Sequence, residues 1–310
     1  MQTNYQLVEG RLTPAENNAT WQRVVAPSDA EFTALDRAND LPFDYLAAGL
    51  DVHEEPRAVG VHAGATHPAL IVLRVPTVTH NAQGDIVYET KPLALIVDAK
   101  HLLSIEQAPL PVVDAFIAHT PRVVDAQDLV LALIQVVLEA FQADVDAMDH
   151  QTKAMEARLA TASRNTLLYE IIALERSLVY FDAALSKTQT LTDKLSASAR
   201  FFTSPEHLYR LHALNVQCEQ ALTVAHCSRE LLDQYNTAVS AIVGNNLNQI
   251  MKVLTSVSII MTIPAIVAGI WGMNTWLPLN HGVWGFVSLL ALIGVLCGVC
   301  AWLLKRKDYF

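Results

Sequence analysis

From Val253 to Leu304 the chain has no Asp, Glu, Lys or Arg, a run of 52 residues whose only imidazole is His281. A soluble domain does not leave so long a stretch uncharged. A membrane-crossing helix takes about 20 apolar residues, so the run accommodates two crossings and a loop, expected at 250–272 and 283–304 with the loop at 273–282. Glycine is missing between Gly84 and Gly244, and proline between Pro121 and Pro205. Without either helix breaker, that region is free to form very long helices. Cysteine is scarce, with four in 310 residues, which excludes a disulfide framework. The opening MQTNYQLVEG has neither a basic segment nor an apolar core, so no signal peptide is expected. Basic residues are few, 21 against 31 acidic. Nucleic-acid binding needs a basic stripe and is not expected. No P-loop and no nucleophile–base constellation is present, so an enzyme is not expected either.

What is present is apolar: 52% of residues are hydrophobic and mean hydropathy is +0.27. The acidic excess behind the net charge of −10 lies before residue 252. A large acidic part ahead of a membrane hairpin suits a protein that handles cations, though it also serves ordinary solubility. Lys252 precedes the first crossing, and Lys305, Arg306 and Lys307 follow the second. Basic flanks favour the cytoplasmic side. Both termini are therefore expected inside, in a multi-pass protein of the inner or plasma membrane.

Ten of the 13 prolines lie at or before Pro121. That region mixes turn residues with β-rich runs, ALIVLRVPTVTH (69–80), DIVYET (85–90) and LALIVDAKHLLSI (93–105), with QGD (83–85) as a turn. Ser28 and Glu31 have the spacing of a capping box. Residues 1–121 read as a compact α/β domain, and 122–203 as two long antiparallel helices at 128–160 and 165–195 that reverse near TASRN. A third helix has Ser204 as N-cap and Pro205 in its first turn. Residues 204–249 form its cytosolic part. If it runs into the first crossing it reaches residue 271, about 100 Å at 1.5 Å per residue, and must bundle with neighbours or with copies of itself. Residues 305–310 are a basic tail.

Alternating steps of three and four from Asn248 give Met251, Thr255, Ser258, Thr262, Ala265 and Gly269, a small or polar stripe amid Ile, Val, Leu and Met. Close packing of two helices accounts for such a stripe, and so does a wet path lined by several copies. The helix end favours the path. Its terminal carbonyls carry about half a negative charge, Gly272 lets backbones approach, and Asn274 adds an amide oxygen. Neutral oxygens suit a hydrated cation such as Mg2+, which dehydrates reluctantly. Elsewhere, Cys297 and Cys300 in CGVC lie beside Gly294 and Gly298 and read as helix packing. His53, His62, His67, His80, His101 and His119 match no ligand spacing and read as surface residues. Glu139, Asp144, Asp146 and Asp149 read as a solvated helix face.

The segment NQIMKVLTSVSIIMTIPAIVAGIWGMN (248–274) resembles the pore helix of CorA-type divalent-metal transporters, with MKVLT, the proline, AGI and the terminal Gly-Met-Asn in order. The likeness is detailed over 245–307 and architectural upstream. It implies a homopentameric funnel: an N-terminal cytosolic α/β domain, a long helical stalk continuing into the first of two C-terminal transmembrane helices, a pore lined by that first crossing, and the second crossing outside. It also implies Gly272, Met273 and Asn274 at the ion entrance, Gly269 as a backbone-lined ring, Asn248 as an inner polar ring, and Met251 and Leu254 as a hydrophobic gate. The implied activity is potential-driven Mg2+ uptake gated by cytosolic metal, whose ligands are not identified. Two features depart from the pattern: Ala265 where many members have Thr, and a loop, TWLPLNHG, without an acidic residue. Co2+, Ni2+ or Zn2+ transport on the same scaffold, and a membrane-anchored scaffold or sensor without transport, are the alternatives.

Overall fold

A computed structural model describes residues 1–310 except 17–18, 40, 82–83, 85, 120, 159–163, 199, 274–282 and 308–310. It divides into two compact units, Met1–Tyr235 and Asn236–Phe310. The first is built on a seven-stranded sheet of β1 (Gln2–Val8), β2 (Arg11–Pro14), β3 (Trp21–Val25), β4 (Arg57–Val59), β5 (Ala69–His80), β6 (Ile86–Val97) and β7 (Leu102–Glu106). The strand order is β2-β1-β3-β7-β6-β5-β4, and only β3–β7 is parallel. β5 coincides with the apolar run read at 69–80. The next two runs are partitioned differently: β6 passes through both DIVYET and LALIV, and β7 is separate. Pro92 does not break β6, because pairing with β7 begins only at Leu93 and Pro92 has a neighbour on one side. Gly84 takes φ +88° at the β5–β6 connection, the backbone a side chain resists.

Two short helices, α1 (Asp29–Asn39) and α2 (Phe43–Ala47), cover one face of the sheet. Leu35, Leu41, Tyr45 and Leu46 pack there on Val24, Leu70, Val72, Ile96, Leu103 and Ile105. The Ser28–Glu31 capping box forms: Glu31 Oε2 accepts from Ser28 N at 2.8 Å and Ser28 Oγ from Glu31 N at 3.3 Å. On the other face Trp21 donates its indole N–H to Ser104 Oγ at 2.9 Å and meets Phe116 of α3 (Pro111–Ala118) edge-on. Beside it, Arg23 grips the fully buried Glu106 with two hydrogen bonds of 2.7 and 2.8 Å.

The breaker-free region yields α4 (Ala126–Arg158) and α5 (Arg164–Ser196), each 33 residues. The reversal expected near TASRN lies largely outside the described residues. Val137, Phe141, Val145, Met148 and Met155 of α4 are buried, as are Ile171, Leu174, Leu178, Phe181 and Leu185 of α5, one face on each helix. Phe141 and Phe181 meet at 4.8 Å, nearly perpendicular. Both helices lie along β5 and β6, so they complete the sheet's core within the same compact unit.

The last two helices are α6 (Pro205–Trp271, 67 residues) and α7 (Val283–Arg306, 24 residues). Ser204 caps α6 by accepting from His207 N at 3.1 Å. Within the first unit α6 buries Leu211, Leu214, Cys218, Ala221, Ala225, Ser228 and Leu232 in alternating steps of three and four. Cys218 Sγ reaches Leu185 O of α5 at 3.3 Å. Burial lifts this thiol to a pKa of about 12, so it is inert packing. Both α6 and α7 carry stretches long and apolar enough to cross a membrane, and these stretches are almost entirely unburied within the chain.

Candidate functional site

In the second unit, α6 is shielded along one seam. Ser256 and Val267 are buried, and Ile260 and Ile263 are half-buried. These positions continue the three-and-four spacing of the buried seam upstream. α7 lies on this side, with Cys297 Sγ 3.8 Å from Ile260 O. Pro264 explains that contact. Lacking an N–H, it leaves the carbonyl four residues back, Ile260 O, without its helical donor. In an apolar surrounding a freed carbonyl needs another partner, and the Cys297 thiol supplies one.

At about 100° per residue, Asn248, Met251, Thr255, Ser258, Thr262, Ala265 and Gly269 centre about 140° from that seam. All seven are exposed. The face read from the sequence as small and polar thus lies away from the chain's own α7, which leaves most of this part of α6 exposed. Ser258 Oγ donates to Leu254 O at 2.8 Å, and Thr262 Oγ1 to Ser258 O at 2.7 Å. With its proton turned back into the helix, each hydroxyl offers only lone pairs outward. Such a surface accepts hydrogens from water, and water bound to a cation points its hydrogens away from the ion. Met251, exposed at 53%, is the apolar member of the same face, and Leu254, exposed at 59%, stands at its edge, about 70° from its centre.

The helix closes with Gly272 N donating to Ala268 O at 2.9 Å and Met273 N to Ile270 O at 3.3 Å. A Cβ on Gly272 would sit 3.2 Å from Ala268 O, tighter than ordinary contact, so glycine fits the closing turn. A Cβ on Gly269 meets nothing within 4 Å, so its own chain does not require glycine there. The same holds for Gly294 and Gly298. The packing expected around CGVC therefore rests, within this chain, on Cys297 and not on the glycines. Asn274, His281 and the loop between them lie outside the described residues.

In the first unit, Asp125, Asp128 and His207 bring three potential ligand atoms within 4.8 Å of one another. Their bonds are already committed. Asp128 Oδ1 accepts from Arg210 at 2.8 Å and lies 3.1 Å from His207 Nε2, Oδ2 accepts Val124 N at 3.1 Å, and Asp125 Oδ1 accepts Asp128 N at 2.8 Å. This is the N-terminal cap of α4 tied to the first turns of α6, and the guanidinium already neutralises Asp128. The acidic run on α4 is solvated in part. Glu139 and Asp146 are exposed, and Asp149 pairs with Lys153. Asp144 corrects that reading: it is half-buried, and burial raises its pKa to about 6. The six N-terminal histidines are all exposed.

A sequence model described as CorA-like Mg2+ transporter protein matches residues 16–306. The chain belongs to this family. The cobalt/magnesium transport protein CorA of Methanocaldococcus jannaschii is 23% identical over 297 residues, 93% of this chain and 90% of that protein. That of Thermotoga maritima is 36% identical over 80 residues, 26% of this chain and 22% of the relative. Among solved structures, the complete CorA magnesium transporter of M. jannaschii superposes with a TM-score of 0.80 at 20% identity, covering 100% of this chain and 98% of the other. Full-length CmaX gives 0.73 at 17% identity, covering 98% and 96%. The CorA-like fold expected from the C-terminal motif thus extends over the whole chain: a sheet domain, long helices and two apolar C-terminal helices. The contact between Cys297 and the Ile260 carbonyl was not anticipated. A proline within an apolar helix announces an orphaned carbonyl, but the sequence does not say which side chain answers it.

Proposed function

We propose that this CorA-family chain conducts Mg2+ into the cell through a central pore of a homopentamer, driven by the membrane potential. The observation that carries the proposal is that the stripe from Asn248 to Gly269 is exposed and points away from α7. Copies of α6 that turn this face to a common axis keep α7 outside, against lipid. Asn274, with Gly272, Met273 and the terminal carbonyls of α6, receives the hydrated ion at the outer mouth, where neutral oxygens and the helix dipole hold water-clad charge without trapping it. The ion then passes Gly269, Ala265, Thr262, Ser258 and Thr255, whose hydroxyls accept from its water shell. Leu254 and Met251 form the apolar gate, and Asn248 a polar ring at the inner end. Each Mg2+ entering through 100 mV gains about 4.6 kcal/mol, twice the single-charge value, so no nucleotide is needed. Both termini face the cytoplasm, and cytosolic metal favours the closed state. The names of the relatives, cobalt/magnesium transport proteins, support a divalent cargo.

The test is Mg2+ uptake into proteoliposomes with an imposed potential. Wild-type protein is expected to transport, and Asn274→Ala to lose most of the flux while eluting as the same oligomer. Full flux in Asn274→Ala defeats the assigned entrance. Zn2+, Co2+ or Ni2+ flux without Mg2+ flux defeats the cargo, and no flux of any divalent ion leaves a membrane-anchored scaffold.

A further inference from the structure

One row of side chains across the sheet changes character part-way. Paired residues on β5, β6, β7, β3 and β1 run Leu70, Ile96, Leu103, Gln22, Asn4. The first three belong to the core beneath α1 and α2. Two residues along β3 from Gln22, on the same face, stands the buried Val24. The polar pair therefore interrupts an apolar face at the edge of its helical cover. A cleft of about 400 Å3 opens over this point, floored by Ile96 and Leu103 and walled by Leu41 and the β6–β7 turn. That size lies within the range of small-molecule pockets.

The polar groups around it share one chemistry. Asn4 Oδ1 is buried and has no hydrogen-bond partner among the described residues. An unpaired buried acceptor is costly, and natural folds leave few of them. Asp98 lines the same cleft. Burial alone would raise its pKa, but the backbone N–H groups of Lys100 and His101, with the His101 ring, outweigh burial and hold the carboxyl below its usual value. The cleft thus carries a fixed negative charge, and no Lys or Arg side chain is among its described lining residues.

We propose that this cleft is a binding site for a small, non-anionic organic molecule with an N–H donor end, such as an amide or amino-heterocycle. The Asn4 amide lines the cleft with its oxygen covered, so it turns outward to meet the donor end beside Gln22, and the ring or hydrocarbon body lies on Ile96 and Leu103. A bare or hydrated metal ion is the poorer occupant: Asp98 is already engaged by the Lys100 and His101 N–H groups and lies 3.4 Å from the His101 ring, which leaves two amides, and most of the lining residues are apolar. Anions are excluded by Asp98. The site lies on the N-terminal unit, apart from the proposed pore, and does not depend on the transport reading.

Nicotinamide and nicotinate are matched probes, equal in shape and differing in donor and charge. Saturation-transfer NMR on the full-length protein in detergent, with empty micelles as blank, is expected to show nicotinamide binding with a Kd of about 1 mM or tighter and nicotinate at least tenfold weaker. Asn4→Leu is expected to abolish nicotinamide binding while leaving the melting temperature unchanged or higher, because the orphaned acceptor is gone; a purely structural Asn4 would give a lower one. Asp98→Asn keeps the acceptor of the turn and is expected to narrow the tenfold preference to about twofold or less. No binding of nicotinamide to wild-type protein at about 10 mM overturns the proposal. So does equal binding of the two probes, or nicotinamide binding that neither Asn4→Leu nor Asp98→Asn changes.

Discussion

The direction in which α6 faces can be tested by the chemistry of a single thiol. In a background with Cys218, Cys227, Cys297 and Cys300 replaced, Ser258→Cys and Thr262→Cys sample the open stripe. Met261→Cys samples a flank about 90° away, and Val267→Cys the seam beneath α7. Met261 is 71% exposed and Val267 8% in the single chain, so bare accessibility favours Met261. A membrane reverses that order if the stripe is wet. Charged methanethiosulfonates react with the thiolate, whose ordinary pKa is about 8.5. Immersion in hydrocarbon raises a thiol's pKa by two units or more, cutting the thiolate fraction about 100-fold or more. Positions 258 and 262 are therefore expected to react about 10²–10³ times faster than 261 and 267 in proteoliposomes without Mg2+. Added Mg2+ is expected to slow the first pair only. Reaction fastest at 261, or equal at all four, refutes the assignment of faces whatever the flux measurements give.

Other consequences concern the scaffold. Glu106→Gln leaves a guanidinium whose side chain is 8% exposed with Asp114, itself 53% exposed, as its one carboxylate partner among the described residues. Breaking such a pair costs about 3–5 kcal/mol, so amides of β3 and β7 that open only with the sheet should exchange about 150- to 5,000-fold faster by mass spectrometry. Arg23→Met with Glu106→Leu should recover most of that protection; if the double variant is worse than the single, the pair is not the cause. Asp144→Asn tests the pKa of about 6 on α4. Because the folded value lies above the usual carboxylate value, the wild-type carboxyl supports stability fully below pH 4 and loses that support as pH rises through 6. Wild-type melting temperature should therefore fall relative to Asp144→Asn between pH 4 and 7; parallel curves count against a buried carboxyl. At the proline, Cys297→Ser offers Ile260 O a stronger donor and should keep wild-type stability, whereas Cys297→Val should lose about 1 kcal/mol, read as the denaturant needed to separate α6 from α7. Equal loss in both variants would mean that the thiol acts through its volume alone.

The sequence by itself determined the division of labour along the chain. Charge is absent only where lipid tolerates nothing else, so the 52 uncharged residues announced two crossings. The lack of glycine and proline announced the long helices, while Ser28 announced the start of α1 and Ser204 with Pro205 that of α6, because caps are local chemistry. The run at 69–80 was legible for the same reason: a strand buried on both faces is continuously apolar. The N-terminal strands β1–β3 were not legible, since short mixed segments such as Arg11–Pro14 acquire their conformation only from the strands they pair with. Spacing exposed the stripe from Asn248 to Gly269 but could not say which face of α6 its own chain covers. Only tertiary structure decided that α7 takes the Ser256–Val267 seam, that Cys297 answers the carbonyl freed by Pro264, and that Asp144 leaves water while Asp146 stays in it. It also decided that Asn4 and Gln22 stand at the end of a core row, because burial and partnership depend on residues far apart in the chain and meet only when the sheet and its helices are assembled.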